Sequence, residues 1–113
     1  MELLKTYEEY NQLNKEYVNY IEIVMNSDIT EFDEVIMNKL QEYSSLFEEL
    51  KIKCDGIKVE EKDIDNLKDL NYLALDTLFL SFDLKNFYNL KQPERFKMRA
   101  VNYINRSLSS NRR

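Results

Sequence analysis

Histidine is absent from the 113-residue chain, and glycine, proline and cysteine each occur only once. Without histidine, and with a single cysteine, neither a Ser-His nor a Cys-His nucleophile can form, and the usual zinc ligand sets cannot be assembled. A single glycine also excludes the glycine-rich loops that bind phosphate groups. The composition therefore predicts a protein that is not an enzyme and that uses no metal or other cofactor.

The scarcity of glycine and proline also indicates the fold class. Sharp turns depend on these residues, so a many-stranded sheet is disfavoured and a few long helices are favoured. Apolar residues at 43% and charged residues at 33% are typical of a globular chain. We expect one all-α domain over residues 1–113, an antiparallel bundle of three long helices and a shorter C-terminal fourth helix.

The cellular location is also predicted from absences. Cys54 has no second cysteine to pair with, so the fold does not depend on an oxidising compartment. The N-terminus lacks the pattern of a secretory signal, and the apolar segments are too short to cross a bilayer. We expect a cytoplasmic protein that does not bind a membrane.

Charge is divided unevenly along the chain. Residues 1–90 contain 20 acidic and 9 basic residues, net −11, whereas residues 91–113 contain 1 acidic and 7 basic residues, net +6. A basic tail on an acidic body either docks onto that body or contacts a polyanion, and we favour docking. Nucleic-acid binding is not expected, because the body is acidic and the tail carries no recognition motif.

Apolar spacing and stop signals predict four helices. They are expected over residues 2–26, 29–53, 62–90 and 93–108, with a frayed basic tail over 109–113. Asp28 and Glu31 have the spacing of a capping box at the start of the second helix. The acidic cluster there lacks the glycine and alternating ligands of a calcium loop, so a capped helix start is the better interpretation. Pro93 marks the start of the fourth helix.

The most apolar segment lies within the third helix, at residues 72–84. On a helix, Asp76 and Asp83 fall on one narrow polar edge, and apolar residues occupy the remaining circumference. Leu73, Leu80 and Phe87 form the main line of apolar residues, whereas Leu75 and Phe82 point in another direction and Phe79 in another again. A helix that is apolar nearly all round must be buried nearly all round. Either three neighbouring helices of the chain cover it, or one side is left for a partner.

Several segments, taken in order, resemble the flagellar export chaperones of the FliT type, which are small cytosolic helical proteins. The segments are Leu4-x-x-Tyr7, residues 28–35 (DITEFDEV), Lys39 ahead of residues 46–50 (LFEEL), residues 73–76 (LALD) and residues 100–103 (AVNY). The resemblance spans nearly the whole chain and rests on arrangement more than on a fixed motif. It departs at residues 78–82 (LFLSF), which are richer in aromatic residues, and at Lys39, where arginine is commoner. The outline also resembles the FlgN-type chaperones of the hook-junction proteins.

The resemblance implies a chaperone that binds the C-terminal helical part of a filament-cap protein and keeps it unassembled. It also implies delivery of this client to the export apparatus, including the export ATPase components. In that family the client lies in an apolar groove that involves the second and third helices, and the last helix can occlude the groove. Carried over to this chain, the groove residues are Tyr43, Phe47, Leu50, Leu73, Leu80 and Phe87. The lid residues are Phe96, Ala100 and Tyr103.

Three alternatives remain open from the sequence. The same residues are also what the core of a four-helix bundle requires, with no partner involved. Small, acidic, all-helical proteins also include immunity proteins and other inhibitors, which bind to and mask a basic surface of their target. The third alternative is a homodimer or larger homo-oligomer in which the spare apolar surface pairs with itself.

Overall fold

The computed structural model describes the backbone of residues 2–111 and the side chains of residues 2–107. It contains four α-helices with one short 3-10 turn ahead of the third, and it confirms the predicted all-α class. The helices are α1 (Glu2–Met25), α2 (Glu34–Asp55), α3 (Ile64–Asn89) and α4 (Pro93–Asn111), and the 3-10 turn is Glu61–Asp63. Together they form an elongated bundle of 49 × 29 × 18 Å.

The core of the bundle is built around α3, which packs against each of the other three helices and most extensively against α2. Tyr17 of α1 is fully buried, and its ring makes edge contacts with the rings of Tyr43 (5.1 Å between centroids) and Phe47 (5.2 Å) of α2. Leu84 of α3 and Phe96 of α4 are also fully buried. Tyr10 of α1 is buried as well, and Tyr7 and Tyr20 pack against the core, so the tyrosines of this helix face inward.

The start of α2 differs from the prediction, and lies at Glu34 instead of residue 29. Asp33 is the N-cap, and its carboxylate accepts a hydrogen bond from the backbone N–H of Val35 at 2.8 Å. Asp28 instead accepts hydrogen bonds from the backbone and the hydroxyl of Thr30, and so closes a local turn. The sequence offers two aspartates that can each cap a helix. Ile29 is buried in the core, which holds the residues between the two aspartates in a loop. The helix therefore starts after Asp33 and not after Asp28.

The connection between α3 and α4 is a tight corner without glycine. Lys91 has φ 56°, in the left-handed region, and its N–H donates to the carbonyl of Tyr88 at 3.1 Å. The N–H of Gln92 donates to the carbonyl of Phe87 at 2.9 Å, which completes a Schellman motif. Pro93 then begins α4, as predicted, because its fixed φ suits the first helical position.

The remaining helix ends lie close to their predicted positions, with one difference in α4. This helix continues to Asn111, three residues beyond the predicted end at Leu108. Residues 109–111 of the predicted tail are helical, and no glycine or proline interrupts the backbone there. The rest of the predicted frayed tail, residues 112–113, lies outside the described residues.

Candidate protein-binding surface

Three sides of α3 are covered by the other helices of the chain. The hydroxyl of Thr77 is hydrogen-bonded to the hydroxyl of Tyr10 in α1 at 2.9 Å and to that of Tyr103 in α4 at 3.1 Å. One turn further on, the hydroxyl of Ser81 donates to that of Ser44 in α2 at 3.3 Å. The polar residues of this apolar helix therefore mark where each neighbour contacts it.

The fourth side of α3 is open to solvent and carries a row of apolar side chains, the α3 stripe. Its members are Tyr72, Leu75, Phe79 and Phe82. Tyr72 is 65% exposed, Leu75 37% and Phe79 52%, whereas Phe82 is partly buried. Their spacing of three, four and three residues places them within about 80° of the helix circumference, over a length of about 15 Å. The stripe is therefore one continuous surface feature.

Polar residues bound the stripe at both ends. Lys68 and Asn86 occupy the next positions on the same face of α3, and both are exposed. At the C-terminal end, the ammonium of Lys85 lies 5.3 Å from the centroid of the Phe82 ring. Exposed apolar side chains also occur singly on other helices, for example Ile23 of α1 and Ile52 of α2. Single exposed residues are normal on protein surfaces, whereas a continuous apolar patch often marks a binding site.

Two ion pairs border the stripe on the side of α4. The guanidinium of Arg99 lies 2.9 Å from the carboxylate of Asp83, and that of Arg106 lies 3.3 Å from the carboxylate of Asp76. Each aspartate follows a stripe residue by four positions, so the pairs lie beside the stripe on the next turn. Such partly exposed pairs contribute at most about 1 kcal/mol each to stability. They therefore add little to the attachment of α4 and mainly form a polar rim beside the stripe. They confirm that part of the basic C-terminal segment docks onto the acidic body.

Apolar burial is what fixes α4 to the bundle. Phe96 and Ala100 are fully buried, and Tyr103 is nearly so. The hydroxyl of Tyr103 also donates to the side-chain oxygen of Asn14 at 3.0 Å, in addition to its contact with α3. Burial of the two aromatic rings alone contributes about 3–6 kcal/mol. The free energy needed to detach α4 is therefore set mainly by these buried rings and only to a small extent by the two ion pairs.

Burial also affects the tyrosines of α1. Desolvation raises the pKa of Tyr10 and of Tyr17 well above that of a free phenol. Both rings therefore stay neutral through the physiological pH range, and the stability they contribute is lost only as pH rises above the ordinary tyrosine pKa. The hydroxyl of Tyr17 has no hydrogen-bond partner among the described side chains.

The groove residues implied by the family resemblance do not form one open surface in this bundle. Tyr43, Phe47 and Leu50 of α2 are buried, the first two against Tyr17 of α1. In α3, Leu80 is buried, Phe87 is partly buried and Leu73 is 36% exposed. As a set of client contacts these six residues stay a prediction. With α4 in place, only Leu73 and Phe87 reach the surface.

The lid residues implied by the resemblance all lie on the buried face of α4, so the structure brings Phe96, Ala100 and Tyr103 together. The α3 stripe is the feature that sequence reasoning did not identify as a site. The signal available for it was the group of apolar residues that points away from the main line of the third helix. Periodicity cannot select one face of a helix that is apolar on nearly every face.

Comparison with known proteins adds no relative: no protein-family model matches the sequence, and no curated protein or solved structure matches it either. Within residues 2–111, none of the helices combines the length and the apolar character that crossing a membrane requires.

Proposed function

We propose that this protein is a cytoplasmic export chaperone of the flagellar FliT type that acts by binding a helical segment of a client protein. The client is the C-terminal helical segment of a filament-cap-type protein, which the chaperone keeps unassembled and delivers to the export apparatus and its ATPase. The proposed role is one of binding, without catalysis or a cofactor. The observation that carries the proposal is the α3 stripe, an apolar surface left open on the central helix of an otherwise closed bundle.

The shape of this surface favours a helix as the bound segment. An amphipathic helix binds to an apolar groove through residues spaced three and four apart, which matches the spacing of the stripe itself. Aromatic residues surrounded by a polar rim are also typical of the centre of a protein interface. Tyr72, Phe79 and Phe82 supply the aromatic centre, and the ion pairs along α4 supply one rim.

The proposal is tested by titrating the C-terminal peptide of a filament-cap protein from the same genome into the wild-type chain and the variant Phe79→Ser. We expect the variant to bind at least tenfold more weakly, a loss of about 1.4 kcal/mol, because Phe79 lies within the stripe. Phe79 is half-exposed and serine has a similar helix propensity, so the fold is retained. Isothermal titration calorimetry measures both affinities.

The matched control is Ile23→Ser, which removes an apolar side chain of α1 that is 65% exposed, against 52% for Phe79. Thr77 contacts α1 and lies about half a helical turn from the stripe, so α1 covers the opposite side of α3. This variant should bind the peptide as tightly as the wild type. Equal affinities for wild type and Phe79→Ser, or equal losses in both variants, contradict the proposal.

An inhibitor that masks a basic surface is the second candidate, and the net charge of −11 on residues 1–90 favours it. Binding through charge weakens steeply as salt rises, whereas binding through an apolar stripe does not. Repeating the titration at low and high salt separates the two functions. The inhibitor function is supported if the affinity falls steeply as the salt concentration rises and is the same for the wild type and Phe79→Ser.

A further inference from the structure

We propose that the groove between α1 and α2 is a second docking surface, which binds a basic protein segment carrying one large apolar side chain among its lysines and arginines. The groove lies on the two helices that do not carry the α3 stripe. This inference therefore goes beyond the proposed chaperone function and does not rest on it. It names another site and another partner chemistry than those of the client.

The groove results from the antiparallel packing of the two helices. Lys53, near the end of α2, donates a hydrogen bond to Glu9, near the start of α1, at 2.8 Å. Further along, the ring of Tyr17 packs against those of Tyr43 and Phe47. On the outer side of these contacts the two helices leave an open groove. It is lined by Glu9 and Leu13 of α1 and by Leu46, Glu49, Leu50 and Lys53 of α2.

Both helices carry the same pattern of side chains along this side. In each helix a leucine lies between two glutamates, at spacings of four and three residues. The two sets are Glu9, Leu13 and Glu16 in α1 and Glu42, Leu46 and Glu49 in α2. On a helix this spacing holds three side chains within about 60° of the circumference and about 10 Å of length. Each leucine is therefore flanked by two carboxylates on its own face of the helix.

The floor of the groove is apolar but small. Leu50 is buried, Leu13 is partly buried against the core, and Leu46 is 38% exposed. Burying one large apolar side chain of a partner contributes about 1.5–3 kcal/mol at most, which does not hold a complex together alone. The groove therefore has room for a single apolar side chain, and the rest of the attraction has to come from charge.

Carboxylates without a cation of their own lie next to this floor. Glu49 lines the groove, and Glu8 and Glu16 line a shallow extension of it along α1. All three are exposed, and none of them forms an ion pair with a described side chain. One cation, Lys5, lines the same extension. The excess of negative charge is therefore a property of this groove and not only of the chain as a whole.

Two other cations close to this face are already paired. Lys53 lies 2.8 Å from the carboxylate of Glu9, and Lys39 lies 3.7 Å from that of Glu42. An incoming lysine or arginine thus meets free carboxylates, whereas an acidic segment would be repelled by them. Partly exposed ion pairs contribute at most about 1 kcal/mol each, so we expect weak, transient and salt-dependent docking.

A designed peptide tests the charge requirement on the full chain. The probe has a single leucine between two runs of about four lysines, enough to reach the carboxylates on either side of a leucine. We expect its affinity at low salt to fall at least fivefold when Glu16→Gln and Glu49→Gln are combined. The matched control combines Glu22→Gln and Glu31→Gln, which removes the same charge from exposed positions outside the groove. Its affinity should stay within twofold of the wild type.

A second peptide, with serine in place of the leucine, tests the apolar floor. The leucine peptide should bind the wild type at least threefold more tightly than the serine peptide. This preference should disappear in Leu46→Gln and persist in Ile52→Gln, which changes an exposed apolar residue of α2 outside the groove. Calorimetry at low salt gives all of these affinities, and each variant is compared at the same ionic strength.

Several results would overturn the inference. Equal losses in the two double glutamine variants would show that the peptide responds only to the overall field of the chain. Equal binding of the leucine and serine peptides would remove the apolar floor from the site, and no binding at low salt would remove the site altogether. A fivefold loss in Phe79→Ser would move the peptide to the α3 stripe. A filament-cap peptide that does not bind contradicts the proposed function and leaves this inference intact.

Discussion

At the scale of single residues, two buried tyrosine hydroxyls have opposite environments. The hydroxyl of Tyr103 is hydrogen-bonded to Thr77 and Asn14, whereas that of Tyr17 is buried without a partner in the described part of the chain. Burying a polar group is costly when it has no hydrogen bond, and removing one partner of a buried hydrogen bond is costly as well. The rings themselves pack in the core in both cases.

These environments predict opposite effects for the same substitution. Tyr17→Phe should raise the free energy of unfolding by about 1 kcal/mol, because it removes an unpaired hydroxyl and keeps the ring contacts. Tyr103→Phe should lower it by about 1–2 kcal/mol, because it leaves the polar groups of Thr77 and Asn14 short of a partner. Urea denaturation with an unchanged m-value measures both. A loss of stability in Tyr17→Phe would show that its hydroxyl is bonded in solution.

At the scale of elements, the corner between α3 and α4 carries strain that the sequence does not reveal. Lys91 has a left-handed backbone conformation, which glycine adopts without steric cost. Lys91→Gly should therefore raise the free energy of unfolding by about 0.5–1 kcal/mol. The matched control, Asn89→Gly, changes the last residue of α3 and should lower it by a similar amount. Thermal or urea denaturation measures the pair, and changes of the same sign would contradict the assignment of the strain to Lys91.

The elements also show how far the sequence could be used for prediction. Apolar periodicity predicted four helices, and Pro93 located the start of α4, because both signals are local. The capping signal was misleading at the start of α2: Asp28 was predicted to cap the helix, whereas Asp33 is the N-cap and the buried Ile29 lies in the loop before it. The α3 stripe could not be predicted, because α3 is apolar on nearly every face. Which face stays open depends on where the other helices dock.

At the scale of the whole molecule, the bundle covers its most apolar helix on three sides and leaves the fourth to solvent. The C-terminal helix α4 covers the third side of α3 with buried aromatic residues. Two of its arginines also form ion pairs with aspartates of α3. This arrangement places an exposed apolar surface beside a polar rim on the same side of the bundle. The closed bundle thus exposes an apolar surface, and we propose that it binds a protein there without any rearrangement.

The most direct test of that claim is to map the contacts of a bound client residue by residue. The measurement is a nuclear magnetic resonance titration of the full chain with the filament-cap peptide, following backbone amides and side-chain methyl groups. The largest shifts are predicted at Tyr72, Leu75, Phe79 and Phe82, with the signals of Tyr43, Phe47 and Leu50 nearly unchanged. The opposite pattern, with large shifts in α2 and a loss of the structured signals of α4, would contradict the account.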